Sequence, residues 1–381
     1  MAVRALARVN LAAIERNVVR LRDGLDGGAG LCAVVKANAY GHGAVPVARA
    51  ALGAGARLLA VATAGEAAEL RTGGIQAPIL VMGAISDDEL AVALGARAEV
   101  VAWDERFVSR LLGFSSSSSS SPPSAPVRLH VKLDTGMGRL GTRSREDAMR
   151  VAARVSAAAP ALELAGVMTH FASADADPEF TAEQIGRFEP FVRELRGRWP
   201  GIVVHAANSA ATLQAPASHF DLVRCGIALY GCDPMNEDPA PHGLEPALEL
   251  SSYVAAVKQA VPGESAGYGR RFIAEADTWL ATVPIGYGDG VRRALTNNCD
   301  VLIGGRRFPL VGTVSMDNIT VDVGSEGAVA VGDRVTIIGA EGDERITAEE
   351  IARRIETINY EVVCGITSRV PRVYHRDGAP G

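Results

Sequence analysis

No stretch of this chain approaches the ~20 consecutive apolar residues that a membrane span needs. No block of like charge stands out either. With a net charge of -6, nothing draws the protein to phosphate backbones or anionic lipid, which excludes nucleic acid and membrane as partners. The cysteines, Cys32, Cys225, Cys232, Cys299 and Cys364, are odd in number and widely scattered, with no Cys-x-x-Cys pair. Neither a disulfide framework nor a metal site is therefore expected. Arg4 and Arg8 interrupt the apolar N-terminus, so the uninterrupted core of a secretory signal is missing and a cytoplasmic location is expected.

What is present is enough apolar material, 48% of 381 residues, to bury a large core in two domains or in one barrel with an appendage. Leu11, Ile14, Val18, Leu21 and Leu25 follow a helical face, with Asn10 placed as its N-cap. Eight short apolar runs come next: 31–35, 58–62, 79–82, 99–102, 128–133, 162–168, 202–205 and 220–223. Helix-like stretches such as 65–71, 87–94, 145–155 and 179–198 separate them. Strand and helix in alternation predict a (β/α)8 TIM barrel over residues 1–243. A doubly wound sheet is the alternative, but the Gly-x-Gly-x-x-Gly turn expected after its first strand is missing. The serine run 115–121, followed by two prolines, reads as a surface loop. Beyond Leu244, runs rich in Val, Ile and Thr at 252–257, 279–285, 300–303, 308–311, 319–323 and 334–338 predict a mainly β domain over 244–381. It carries one helix near 348–356 and a last strand near 370–374, and the short N-terminal segment is free to join it.

In a TIM barrel the reactive groups gather at the C-terminal ends of the strands. Here those ends carry Lys36, Lys132 with Asp134, Thr169 with His170, His205 with Asn208 and Ser209, and Arg224 with Gly226 and Ile227. Singly, a lysine at a strand end is an ordinary surface residue, His205 a core histidine and Gly226 a turn. Together they are hard to explain as packing, because buried lysine and arginine without partners cost several kcal/mol. The turns after the seventh and eighth strands occupy this fold's usual phosphate position, and a phosphorylated cofactor beside a lysine suggests pyridoxal phosphate.

The segment Val34-Val35-Lys36-Ala37-Asn38-Ala39-Tyr40-Gly41-His42-Gly43 resembles the cofactor-attachment signature of alanine racemases. The segments 132–141, 224–231, 267–269, 312–317, 359–363 and 369–372 are similar to further stretches of that family in the same order, so the resemblance covers essentially the whole chain. It implies that Lys36 holds pyridoxal 5'-phosphate as a Schiff base and then acts as a base on one face of the substrate α-carbon. Tyr268 of the partner subunit would serve the other face, with His170 and Arg224 linked behind it. Arg224 would also meet the pyridine nitrogen, which an arginine leaves unprotonated. The resemblance assigns the cofactor further to Tyr40, His205, Ser209, Gly226, Ile227 and Tyr360, and the substrate to Arg139, Met316, Asp317 and Tyr287. It implies a carbamate on Lys132 that orients Arg139. A head-to-tail homodimer with shared sites, and a supply of D-alanine for peptidoglycan, are implied as well. Two rivals stand beside this reading. Single-barrel cofactor-binding proteins end near the barrel, whereas this chain continues for more than a hundred residues. Decarboxylases of the same layout set a carboxylate at the pyridine nitrogen and draw a cysteine from the second domain, and neither feature is matched here.

Overall fold

The computed structural model describes residues 4–117, 125–327 and 329–380. The chain divides into two compact units: Glu15–Ala39 with Ala44–Leu229, and the N-terminal segment through Ile14 with Tyr40–Gly43 and everything from Tyr230 onward.

The first unit is a closed barrel of eight parallel strands, Gly30–Val34, Leu58–Val61, Ile79–Val81, Glu99–Ala102, Val127–Lys132, Leu162–Met168, Val203–His205 and Leu222–Cys225. Leu58–Val61 and Ile79–Val81 are buried along their whole length, as expected of parallel strands covered on both faces. The barrel closes where Gly30–Val34 pairs in parallel with Leu222–Cys225. Seven of the strands lie within one residue at each end of the apolar runs read from the sequence. The eighth is displaced: it starts at Leu222, because Phe220 sits in a left-handed turn at φ 47° that blocks an earlier start. The displacement carries Arg224 into the strand itself.

A strand, Ala5–Asn10, precedes the first helix, where the sequence pattern had the helix come first. It alternates buried and half-buried residues as an Ala-Leu-Ala-Arg-Val-Asn run, and its small alanines give a weak signal. Helix Leu11–Asp23 follows, and Asn10 Oδ1 accepts the Ala12 N–H at 3.1 Å, as an N-cap does. The serine run is not a loop throughout. Helix Glu105–Ser117 extends through its first three residues, since serine's middling propensity lets an established helix continue. Residues 118–124 lie outside the described ones.

The second unit is built on an eleven-stranded sheet in which Ala5–Asn10 runs between Leu248–Tyr253, antiparallel, and Arg372–Arg376, parallel. The single strand expected at 252–257 is two strands, Leu248–Tyr253 and Ala256–Ala260, and the latter pairs instead with Thr278–Val283. Among the described residues, no helix is long and apolar enough to cross a membrane, and no cluster of His, Cys, Asp and Glu is arranged to hold a metal ion.

Candidate active site

Successive side chains of a strand point to opposite faces, so residues two apart share one. Along the fifth barrel strand this places Arg128, His130 and Lys132 on a common face. Arg128 bonds Glu99 Oε1 at 2.9 Å and also pairs with Glu163. His130 Nε2 lies 2.7 Å from Glu99 Oε2, and its Nδ1 lies 2.8 Å from His205 Nε2. His205 Nδ1 is 3.0 Å from an Arg224 Nη, and the guanidinium also reaches His170 Nδ1 at 3.1 Å. Two further bonds go from Arg224 to the carbonyls of Thr169 (2.8 Å) and Ala206 (3.0 Å). A polar column thus replaces the branched apolar layers that usually fill such a barrel. Gly166 makes room for it. A Cβ there would lie 2.4 Å from His130 Nδ1 and 2.7 Å from the Val203 carbonyl oxygen. Gly166→Ala is therefore expected to destabilise the protein by about 1–3 kcal/mol, the usual range for overpacking. A urea midpoint equal to wild type would contradict that packing.

Charge accumulates at the upper end of the column. Burial, then Arg224, Lys132, Arg139 and Lys36 in turn, hold His170 well below the ordinary histidine range. His205 is held well below it too, by burial and then by Arg224. Burial lowers Arg224 to about 10. Lys132, only 4% exposed, is lowered to about 8 by burial and then by Arg224 and Arg139. The barrel therefore brings Lys36, Lys132, Arg139 and Arg224 within electrostatic reach of His170, and Arg224 and Lys132 within reach of His205.

Local structure explains how each group is held. After Lys132 the chain folds back on itself: the Asp134 carboxylate accepts the N–H groups of Gly136 and Gly138, each at 3.1 Å, and the Asp134 N–H bonds the Thr142 carbonyl at 2.8 Å. Glycine is required at 138, where φ is 70°. Arg139 lies exposed within the resulting loop.

Lys36 begins an unusual segment. Ala37, Asn38, Ala39 and Tyr40 all have φ near +50°, making a left-handed turn without a glycine. Such backbone costs roughly 1–2 kcal/mol per residue. Within the barrel unit, Glu66 accepts the Ala37 N–H (2.6 Å) and Asn38 Oδ1 accepts the Ala44 N–H (2.8 Å). Lys36 itself is half-buried. After the seventh strand, Asn208 caps helix Ser209–Gln214, and Ser209 Oγ accepts the Gly226 N–H at 3.0 Å. Ile227 opens a buried 3-10 turn beside it. A serine hydroxyl and backbone N–H groups at this place suit a phosphate, an amine suits an aldehyde, and a buried guanidinium suits a ring nitrogen. The barrel residues thus fit pyridoxal phosphate.

The second unit holds the remaining expected residues. Tyr40 packs against Tyr230, with ring centroids 5.0 Å apart, and against Tyr360 at 6.0 Å. Tyr268 stands on a 3-10 turn after Gly267, where φ is 73°, and its side chain is 75% exposed. Tyr287 and Met316 come together because the Tyr287 N–H bonds the Ser315 carbonyl (3.0 Å) and the Gly288 N–H bonds that of Met316 (2.9 Å). Asp317 is tied to Arg369 at 2.7 Å, and that bond holds its carboxyl below the usual range.

Sequence reasoning missed Glu99, His130, Gly166 and Glu66. The one signal available was the alternation of Arg128, His130 and Lys132 within a strand otherwise read as apolar.

The family model described as alanine racemase, N-terminal domain, matches residues 9–234, and the model of the C-terminal domain matches residues 247–374. An alanine racemase of Geobacillus stearothermophilus is 43% identical over 97% of this chain and 93% of its own. Alanine racemase 1 of Bacillus subtilis is 40% identical over 98% of this chain and 93% of its own. Among solved structures, alanine racemase from Bacillus anthracis with bound L-Ala-P superposes with a TM-score of 0.89 at 38% identity, covering 100% of this chain and 97% of that one. The alanine racemase of a D-cycloserine-producing Streptomyces lavendulae gives 0.91 at 37%, with 98% of each chain covered.

Proposed function

The chain belongs to the alanine racemase family, and from that premise we propose that it interconverts L-alanine and D-alanine with pyridoxal phosphate held on Lys36, as half of a head-to-tail homodimer. The observation that carries this reading is the gathering of Lys36, Lys132, Arg139 and Arg224 around the neutral ring of His170. So many cations in a barrel mouth call for anions, and a cofactor phosphate and a substrate carboxylate are two.

When bound, the cofactor supplies the electron sink for the pair left behind as the substrate α-carbon loses its proton. The chain supplies the rest. Lys36 holds the cofactor and then moves a proton on one face, and Tyr268 of the partner subunit does so on the other, since inversion needs donors on opposite sides. An amine and a phenol ordinarily keep their protons at neutral pH, and a neighbouring cation makes either easier to deprotonate. Arg224 donates to the ring nitrogen and, having no acceptor, leaves it unprotonated. Ser209, Gly226 and Ile227 would receive the phosphate, to which the family resemblance also assigns Tyr40 and Tyr360. Met316, Tyr287 and Asp317 border the substrate. Asp317 acts through Arg369 rather than by attracting a carboxylate, because its own carboxylate is already engaged. The exposure of Tyr268, large for an aromatic side chain, supports its service to a second subunit. A cytoplasmic supply of D-alanine for peptidoglycan is the physiological role that follows.

Lys132 belongs to this reading as a carbamate. An amine held at about 8 is roughly one-tenth neutral at pH 7, against well under one part in a thousand at the ordinary lysine value. The neutral amine adds to carbon dioxide, forming a C–N bond and releasing a proton, and the product is an anion that attracts Arg139 where the ammonium repels it. In 13C-bicarbonate the enzyme is expected to show a carbamate resonance that Lys132→Ala lacks; a spectrum without that resonance would refute the modification. The sign with pH follows from burial. Because the folded-state value is depressed, the unfolded chain binds more protons between about 8 and 10.5, and the unmodified site gains stability as pH rises through that window.

The activity itself is tested by incubating the cofactor-loaded protein with L-alanine and separating the enantiomers by chiral chromatography. Growth of D-alanine toward an equal mixture is expected, and unchanged L-alanine would overturn the reading.

A further inference from the structure

The column inside the barrel has a direction. Arginine can only donate hydrogen bonds, and an ionised carboxylate can only accept them. Arg224 stands at one end and Glu99 at the other, with His205 and His130 between them at 3.0, 2.8 and 2.7 Å. Arg224 and Glu99 are buried along with both rings. Because Arg224 donates to His205 Nδ1, that nitrogen carries no proton, and the proton of the neutral ring sits on Nε2. His205 therefore donates to His130 Nδ1, which leaves the His130 proton on Nε2, aimed at Glu99. Each alternative fails at one contact. A proton on His205 Nδ1 would face the guanidinium N–H groups, and an imidazolium at either ring forces the same clash. A bare His130 Nε2 would face a carboxylate. Burial pushes the Glu99 carboxyl up, but the bonds from His130 and Arg128 outweigh it and keep the group ionised.

We propose that Glu99 and His130 are positioning residues for the racemase: through a one-way hydrogen-bond chain they fix the tautomer of His205 and so hold the Arg224 guanidinium in place. This rests on the activity proposed above. Among the described residues no carboxylate bonds to Arg224, so its counter-charge is Glu99, two imidazole rings away. The arrangement has a purpose. A carboxylate directly on the guanidinium would compete for the N–H groups that the cofactor ring needs, whereas a remote one balances the buried cation and leaves them available. Glu99 is held in turn by Arg128, which Glu163 anchors at the opposite end of the barrel.

The test uses cofactor-loaded enzyme labelled with 15N-histidine and long-range proton–nitrogen correlation, which distinguishes the two neutral tautomers from imidazolium. His130 and His205 are each expected to carry a single proton, on Nε2. Glu99→Gln keeps the shape of the side chain but offers an amide that also donates. It is expected to mix the tautomers of both rings and to lower kcat about ten-fold with little change in KM, the scale on which residues that orient a functional histidine act. A proton on Nδ1 of either ring in the wild type overturns the proposal, and so does a Glu99→Gln enzyme with wild-type tautomers and kcat. Loss of melting temperature in that variant, with tautomers and kcat unchanged, would assign the column to stability alone. Should the wild type fail to racemise alanine while its tautomers are as expected, the proposed activity fails and the hydrogen-bond chain stands.

Discussion

Lys36→Ala is expected to lower alanine racemisation by more than about 10⁴-fold, because one residue is asked to supply two functions. It holds the cofactor, and it moves the proton on one face of the α-carbon. General base catalysis alone is worth roughly 10²–10⁴, and loss of the covalent tether adds to that. Borohydride treatment of the wild type should leave the cofactor on the peptide containing Lys36 and on no other. The variant should lose that label yet keep its fold, since Lys36 stands at the strand's end while the bonds that hold the turn come from Glu66 and Asn38. Added small primary amines should restore a measurable part of the rate. Activity within ten-fold of wild type would remove Lys36 from the chemistry.

Tyr268→Phe is expected to cost racemisation about 10²–10⁴, with a signature that separates a missing base from a damaged site. The opposite face still has its lysine. In deuterated water, one enantiomer of alanine should therefore continue to exchange its α-proton with retention, while inversion nearly stops. In the wild type, both enantiomers exchange and invert together. Because Tyr268 is exposed on its own unit, the substitution removes one hydroxyl without opening a cavity. Parallel loss of exchange in both enantiomers would argue against a two-base arrangement.

Much of the barrel was legible in the sequence because its strands are short apolar runs between helical stretches. Seven of eight were placed within one residue, and the eighth slipped by two because Phe220, apolar and thus read as strand, turns left-handed. Ala5–Asn10 escaped because an alanine-rich alternation looks like neither a strand nor a helix. Of the expected barrel residues, Lys36, Lys132, Arg139 and Arg224 come within electrostatic reach of His170 and His205 bonds Arg224, and places at or just after strand ends made that gathering readable. The interior did not announce itself. Glu99 and His130 sit inside runs read as apolar, and only the three-dimensional closure shows that they meet. The left-handed turn after Lys36 was equally hidden: its residues are Ala, Asn, Ala and Tyr, of which Asn38 alone favours that conformation. The conformation is set by Glu66 and Ala44, which are distant from it in sequence or follow it.

Each working site is expected to join Lys36 of one subunit to Tyr268 of another. Lys36→Ala and Tyr268→Phe proteins, each nearly inactive, can be mixed under conditions that allow subunit exchange, with mixed dimers counted by affinity tags. Random pairing makes half the dimers mixed, each with one intact site of two, so about a quarter of the wild-type activity should return. Mixed dimers that form and remain as inactive as their parents would contradict the shared site.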